Sequence, residues 1–192
     1  MTLQTVLLKL ARAAIEAAFG KSFPYEKEAL AASYPELAQE RATFVTLKTG
    51  GKALRGCIGS IVPHQTLFDD VVANAKSAAF HDPRFGPLTE REYPRCSVEV
   101  SLLTVPQELP YTDVADLRRK IRPGIDGVIL QLGGHSATFL PQVWEELLDF
   151  DRFFAHLGIK AGIGANVLDH HPLIFTYQAE HFEDSPLEGD LS

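Results

Sequence analysis

Leu3, Leu7, Leu10, Ala14 and Ala18 recur at helical spacing and Gly20 follows as a C-terminal cap, so the chain opens with an amphipathic helix predicted over 3–19. A weaker helix is predicted within 26–39. The pattern then changes. Residues 42–48 are β-prone, Thr49-Gly50-Gly51-Lys52 reads as a turn, and 53–61 returns as the second arm of a hairpin. After Pro63, Leu67, Phe68, Val71, Val72, Ala75, Ala78 and Ala79 form one stripe, which predicts a helix over about 64–80. Pro83 disfavours helical geometry at Asp82 and ends it there. From 95 to 104 the period is two: Cys96, Val98, Val100 and Leu102 on one face, Arg95, Ser97, Glu99 and Ser101 on the other.

The second half follows the same grammar. Pro106 and Pro110 mark a loop, and 113–121 is a short helix with Asp113 near its start. Residues 126–132 and 135–140 form a second hairpin about Gly133-Gly134, a dipeptide suited to a primed turn. Pro141 starts a helix carrying Trp144, Leu147 and Leu148; another covers 150–157, and 172–181 is a last strand. Hairpins and helices alternate without a sustained βαβ rhythm. The expected fold is therefore α+β, with a mostly antiparallel or mixed sheet flanked by helices, in one compact unit with two lobes. Residues 1–182 are expected to form the domain and 183–192 an acidic flexible tail.

Composition narrows the function classes. With 192 residues, 45% hydrophobic and 22% charged, the chain can bury a core without disulfides or metal. The formal charge of −7 argues against a nucleic-acid partner, although Arg118, Arg119, Lys120 and Arg122 make one basic cluster. Lys9, Arg12 and Glu16 interrupt the first apolar stretch, which fits an amphipathic helix and not the core of a signal peptide. The longest uncharged run, Gly127 to Trp144, is broken by its turn, so no membrane span is expected. Cys57 and Cys96 lie far apart without metal-type spacing, and the expectation is two reduced thiols in a cytoplasmic protein. Adjacent His170 and His171 point apart on most backbones, so neither a metal nor a cofactor is expected.

The heptapeptide Leu54-Arg55-Gly56-Cys57-Ile58-Gly59-Ser60, an LRGCIG motif, resembles the signature of the AMMECR domain family. Other blocks follow in order. Ala79 to Phe85 with Pro87-Leu88-Thr89 resembles the family's Asp-Pro-Arg-Phe block, and Val98 to Leu103 its Glu-x-Ser strand. Arg122 to Gly127 and Thr138 to Trp144 resemble two later ones. The resemblance runs from about residue 3 to 182 and implies a two-lobed α+β fold with an antiparallel sheet. It also implies company, since such proteins accompany a Memo-like protein and a radical-SAM protein in the AmmeMemoRadiSam system. It implies no reaction. One departure concerns His135-Ser136, where relatives often carry basic residues after the second hairpin turn.

Two readings of the motif stay open. On a strand Arg55 and Cys57 share a face, and a nearby guanidinium favours the thiolate that makes a cysteine nucleophilic. Gly56 and Gly59 would then admit a ligand. In the blander reading Cys57 is a small buried hydrophobe, the glycines permit tight packing, and Arg55 makes a structural ion pair. Asp82 and Arg84 either pin their loop together or present Arg84 to a small anionic ligand. Glu99 is a candidate base if it lies in a cleft with Ser101, and an ordinary surface residue otherwise. His64 and His81 are the histidines nearest in sequence to the motif. The expected function is a non-catalytic ligand- or partner-binding component with its cleft around Leu54–Ser60. The alternative is an enzyme using Cys57 as nucleophile, Glu99 as base and Arg55 as anion binder.

Overall fold

The computed structural model describes residues 1–187. The chain is α+β, with two four-stranded antiparallel sheets, and it divides into two compact units. The first comprises Met1–Leu103 together with the segment from Glu180 onward, and the second is Thr104–Ala179.

In the first unit, α1 (Leu3–Ala18) starts where the Thr2 hydroxyl accepts the Thr5 N–H. α2 (Lys27–Ser33) stops at Tyr34 because Pro35 disfavours helix at the residue before it; a 3₁₀ turn, Pro35–Ala38, completes the segment predicted as one helix. β1 (Thr43–Thr49) and β2 (Ala53–Gly59) form the expected hairpin. α3 (Leu67–Phe80) begins three residues later than its stripe suggested, because Thr66 caps it by accepting the Asp69 N–H. β3 (Cys96–Leu103) completes the part of the sheet read from sequence.

The sheet order is β2-β1-β3-β8, where β8 is Ala179–Glu183. One face carries Val45, Leu47, Val98 and Val100, all fully buried in one core with Leu7, Leu10 and Ala14 of α1 and Val71 and Ala75 of α3. The register places Phe44 opposite both Gly59 and Ser101, and Thr46 opposite both Cys57 and Glu99, so those residues share the other face.

The second unit contains β4 (Gln107–Glu108), α4 (Val114–Lys120), β5 (Gly127–Leu132), β6 (His135–Phe139), α5 (Phe150–Lys160) and β7 (Leu173–Tyr177). Its sheet order is β4-β7-β5-β6. The core holds Leu117, Val128, Leu130, Phe154 and Ile174, and Trp144 stacks flat on Phe153 with ring centroids 3.6 Å apart. Pro141 opens only a 3₁₀ turn, Pro141–Glu145, so Leu147 and Leu148 fall outside the helix predicted for them. β4 was hidden between two prolines.

The strand predicted at 172–181 is two strands. β7 pairs with β5 and β4 in one sheet, whereas β8 closes the other. The break falls at Gln178, whose N–H donates to Thr104 Oγ1 and whose carbonyl accepts the Thr104 N–H, each at 2.9 Å. The two ends of the second unit are therefore hydrogen-bonded to each other. Two residues of the segment expected as a tail are held by the first unit: Glu183 ends β8, and Asp184 accepts both Arg12 and the Val98 N–H. Residues 188–192 lie outside the described residues.

Candidate functional site

The motif occupies β2, at the edge of the first sheet. Between the pairs Lys48↔Leu54 and Leu47↔Gly56 the register shifts, leaving Arg55 as the extra residue of a bulge. The bulge sends Arg55 away from the thiol. Its Nε and Nη2 donate to Glu92 at 3.4 and 3.3 Å, and Nη2 also donates to the Gly86 carbonyl at 3.1 Å. Arg55 and the Thr89 N–H and hydroxyl hold the Glu92 carboxyl down, at about 2.

The two glycines admit the protein itself. A side-chain carbon on Gly56 would lie 2.1 Å from the Ala78 carbonyl oxygen, and one on Gly59 would lie 2.2 Å from the Phe44 ring. The close approach is by α3 and by β1.

Cys57 is half-buried, and its thiol accepts the Thr46 hydroxyl proton at 3.0 Å. The thiol is pushed up, chiefly by burial and also by the negative charges of Asp82 and Glu99; the Thr46 hydrogen bond and the Arg84 charge oppose this. Arg84 is thus a cation whose charge favours the thiolate, while Arg55 is bonded to Glu92 and Gly86. Cys96, buried, is also pushed up by burial. Both cysteines are free thiols.

The backbone of Cys57 faces out from the sheet edge and is tied off by the Asp-Pro-Arg loop. Its N–H donates to Asp82 Oδ2 at 2.8 Å, and its carbonyl accepts Arg84 Nη2 at 3.3 Å. These two side chains take the place of a neighbouring strand. Asp82 is buried and accepts the Arg84 N–H, Nε and Nη2 as well, at 3.0, 3.0 and 2.7 Å. This donor set, led by the Arg84 side chain, holds its carboxyl far below the ordinary range. The Arg84 side chain remains 54% exposed.

Glu99 faces the same side as Cys57 with Thr46 between them, and Lys48 Nζ donates to it at 2.8 Å. It does not pair with Arg55 or Arg84, and Lys48 also donates to Glu183 at 2.8 Å. Ser101 is buried and bonded to His181 Nδ1 at 2.8 Å. His64 Nδ1 lies 3.2 Å from the Val62 carbonyl, and His81 is the exposed C-terminal cap of α3. The structure therefore gathers Cys57, Asp82 and Arg84, leaves Glu99 at one remove, and draws Arg55 into a different contact.

Several residues escaped the sequence reading. Thr46 was visible only as one polar position of a strand. Asp70, fully buried on α3, accepts five donors: Thr43 N–H and Oγ1 at 2.8 and 2.7 Å, Ser60 Oγ at 2.7 Å, Gln65 Nε2 at 3.1 Å and Asn74 Nδ2 at 2.9 Å. That network fixes the end of the motif to the helix behind it. Its signal was the spacing Asp70-x-x-x-Asn74 on a predicted helix. Arg122 and Asp126 repeat the Asp82–Arg84 device in the second unit. Asp126 accepts the Arg122 N–H, Nε and Nη2 at 2.9, 3.0 and 2.6 Å. The rest of the basic cluster is likewise paired, Arg118 with Asp151 and both Arg119 and Lys120 with Asp116.

Among the described residues no group of three or more His, Cys, Asp and Glu side chains is arranged to hold a metal ion. His135 Nδ1 lies 3.1 Å from the Ala161 carbonyl. No helix among the described residues is long and apolar enough to cross a membrane.

Comparison with known proteins bears on the family and the fold. The chain is 36% identical over 191 residues to protein MJ0810 of Methanocaldococcus jannaschii, covering 97% of this chain and 92% of that one. It is 37% identical over 181 residues to a protein of Methanothermobacter thermautotrophicus, covering 93% and 92%. The crystal structure of uncharacterized protein PH0010 from Pyrococcus horikoshii superposes with a TM-score of 0.83 at 35% identity, over 95% of this chain and 92% of that one. The AMMECR1 family profile matches residues 8–182, which takes in the motif, the Asp-Pro-Arg loop and both sheets, and the chain belongs to the AMMECR1 family.

Proposed function

We propose that this chain is a non-catalytic binding component, and that the edge of β2 with the Asp82–Arg84 loop is the surface that receives a ligand or partner. The observation that carries this reading is the fate of Cys57. Its thiol is pushed up by burial, and its backbone is bonded to Asp82 and Arg84. A nucleophile needs the opposite, a thiolate favoured at neutral pH beside a base that takes its proton. What reaches solvent is Arg84, held in a fixed orientation by Asp82. A guanidinium so placed suits a carboxylate or phosphate of a ligand or of a partner's surface. On this reading the protein works in the cytoplasm with reduced thiols, and its partners are the Memo-like and radical-SAM companions that the family resemblance implies.

The test is the pH dependence of thiol alkylation in the folded protein, with peptide mapping to separate Cys57 from Cys96. The expected apparent pKa of Cys57 lies above the free value of about 8.5. It should rise further in Arg84→Ala and stay unchanged in Arg55→Ala. A value below 8.5 that Arg55→Ala raises would instead establish the nucleophile reading. Alongside, a purified Memo-like protein should co-elute with the parent and not with Arg84→Ala; equal co-elution of both would remove Arg84 from the binding surface.

A further inference from the structure

The Asp-Pro-Arg loop closes the edge of β2 at one residue only. Along an antiparallel strand the backbone groups of every second residue face the same side. The bonds from Cys57 to Asp82 and Arg84 leave the side of β2 away from β1, so the next outward pair is the N–H and C=O of Gly59. The following residue keeps this phase, because the Ser60 N–H turns back to the Thr43 carbonyl at 2.9 Å. Gly59 is half-buried, and neither of its outward groups has a partner outside the sheet among the described residues.

Arg84 stands beside this open position. On the outward side of β2 the Cys57 carbonyl is followed by the Gly59 N–H, and Arg84 Nη2 sits on that carbonyl. Nε and Nη2 are held by Asp82. The third nitrogen, Nη1, has no partner among the described residues and, on a side chain 54% exposed, is not sealed from solvent. The edge thus offers, one after another, a guanidinium nitrogen, a backbone donor and a backbone acceptor. A strand that ran on past them would place a residue opposite Cys57, where Asp82 and Arg84 already stand. A chain that ends opposite Gly59 meets all three groups. Lying antiparallel to β2, it sets one oxygen of its terminal carboxylate on the Gly59 N–H and the other on Arg84 Nη1, and its last N–H donates to the Gly59 carbonyl. Its last side chain shares the face of Phe44, whose ring occupies the space above Gly59 and favours an apolar neighbour. We infer that β2 takes the free C-terminus of an extended partner chain, ending in an apolar residue, as an added strand. This names the partner's chemistry at the surface proposed above and rests on that reading.

The experiment is a titration of the isotope-labelled full chain with acetyl-Thr-Val-Thr-Val carrying a free carboxyl, at constant ionic strength, followed by backbone amide NMR shifts. Backbone groups and a carboxylate carry the recognition, so a generic β-prone peptide suffices. Saturable shifts are expected, largest at Gly59 and Cys57. The C-terminal amide of the peptide should bind about ten-fold more weakly or less, and so should a peptide with its last nitrogen methylated, which keeps the carboxylate but cannot donate to Gly59. Arg84→Gln should weaken the free acid to the same extent, with Asp82 still on the Cys57 N–H to hold the edge. Linear shifts to about 20 mM peptide overturn the inference. Equal binding by the methylated peptide, with loss in Arg84→Gln, overturns strand addition and leaves Arg84 as a carboxylate site. Binding that Arg84→Gln leaves unchanged overturns both this inference and the reading of Arg84 on which it rests.

Discussion

At Gly56 the strand backbone comes so near α3 that an added methyl would sit 2.1 Å from the carbonyl oxygen of Ala78. The obstacle is backbone inside a helix, which cannot swing aside as a side chain can. Gly56→Ala should therefore cost about 3 kcal/mol, at the upper end of ordinary overpacking, and appear as a lower urea midpoint with an unchanged slope. A variant within about 0.5 kcal/mol of the parent would mean that β2 and α3 are free to part. Sequence could say that the two glycines invite close approach, but not whether the visitor is a ligand or the protein. The same holds for Arg55 and Cys57. Strand periodicity puts them on one face, and the bulge that separates them leaves no mark in composition, because it arises from pairing with Lys48 and Leu47 on another strand.

Edge strands need protection, and β2 obtains it from side chains of a loop, with Asp82 and Arg84 on the outward backbone of Cys57 and Glu92 holding Arg55. These contacts make the element's stability depend on pH. Glu92 titrates near 2 in the folded chain against an ordinary 4.5. Its contribution is complete above 4.5, where the unfolded chain is also ionised, and it is lost as pH falls through the folded value. Half-exposed Glu92 is screened, so Glu92→Gln should cost about 1 kcal/mol or less at pH 7. The gap from the parent should close by about pH 2 in urea unfolding at stepped pH. A gap that persisted undiminished at that pH would show that the loss is steric. The elements themselves were largely legible. Helix and strand periods placed α1, the first hairpin, α3, β3, α4 and the second hairpin. The failures lie where a cap, a proline or a partner strand decides: at Thr66, at Pro141 and at Gln178, where an unbroken β-prone run serves two sheets.

For the molecule as a whole, the second unit is an insertion between β3 and β8, neighbours in the first sheet. Each unit has its own apolar core, and the ends of the insertion meet at Thr104 and Gln178. Replacing residues 104–179 by an Asn-Gly turn should therefore join β3 to β8 as a hairpin and leave a cooperatively folding remainder. The excised segment should fold alone, and each piece should give dispersed amide NMR signals and a smaller denaturant slope than the parent. An unfolded piece of either kind would show that its core is insufficient by itself. Composition gave no sign of this nesting, since both units draw on the same residue types and no linker separates them.

Nesting also sets an order in time. A chain emerging from the ribosome presents α1 long before β8, yet Arg12 finds its carboxylate on Asp184, 172 residues later. Until β8 appears, β3 is an open edge and the charged side chain within the first core is unpaired, while the inserted segment already has all of its strands. During synthesis the guest can be complete before its host, whose first sheet closes only once β8 and Asp184 have followed the inserted segment.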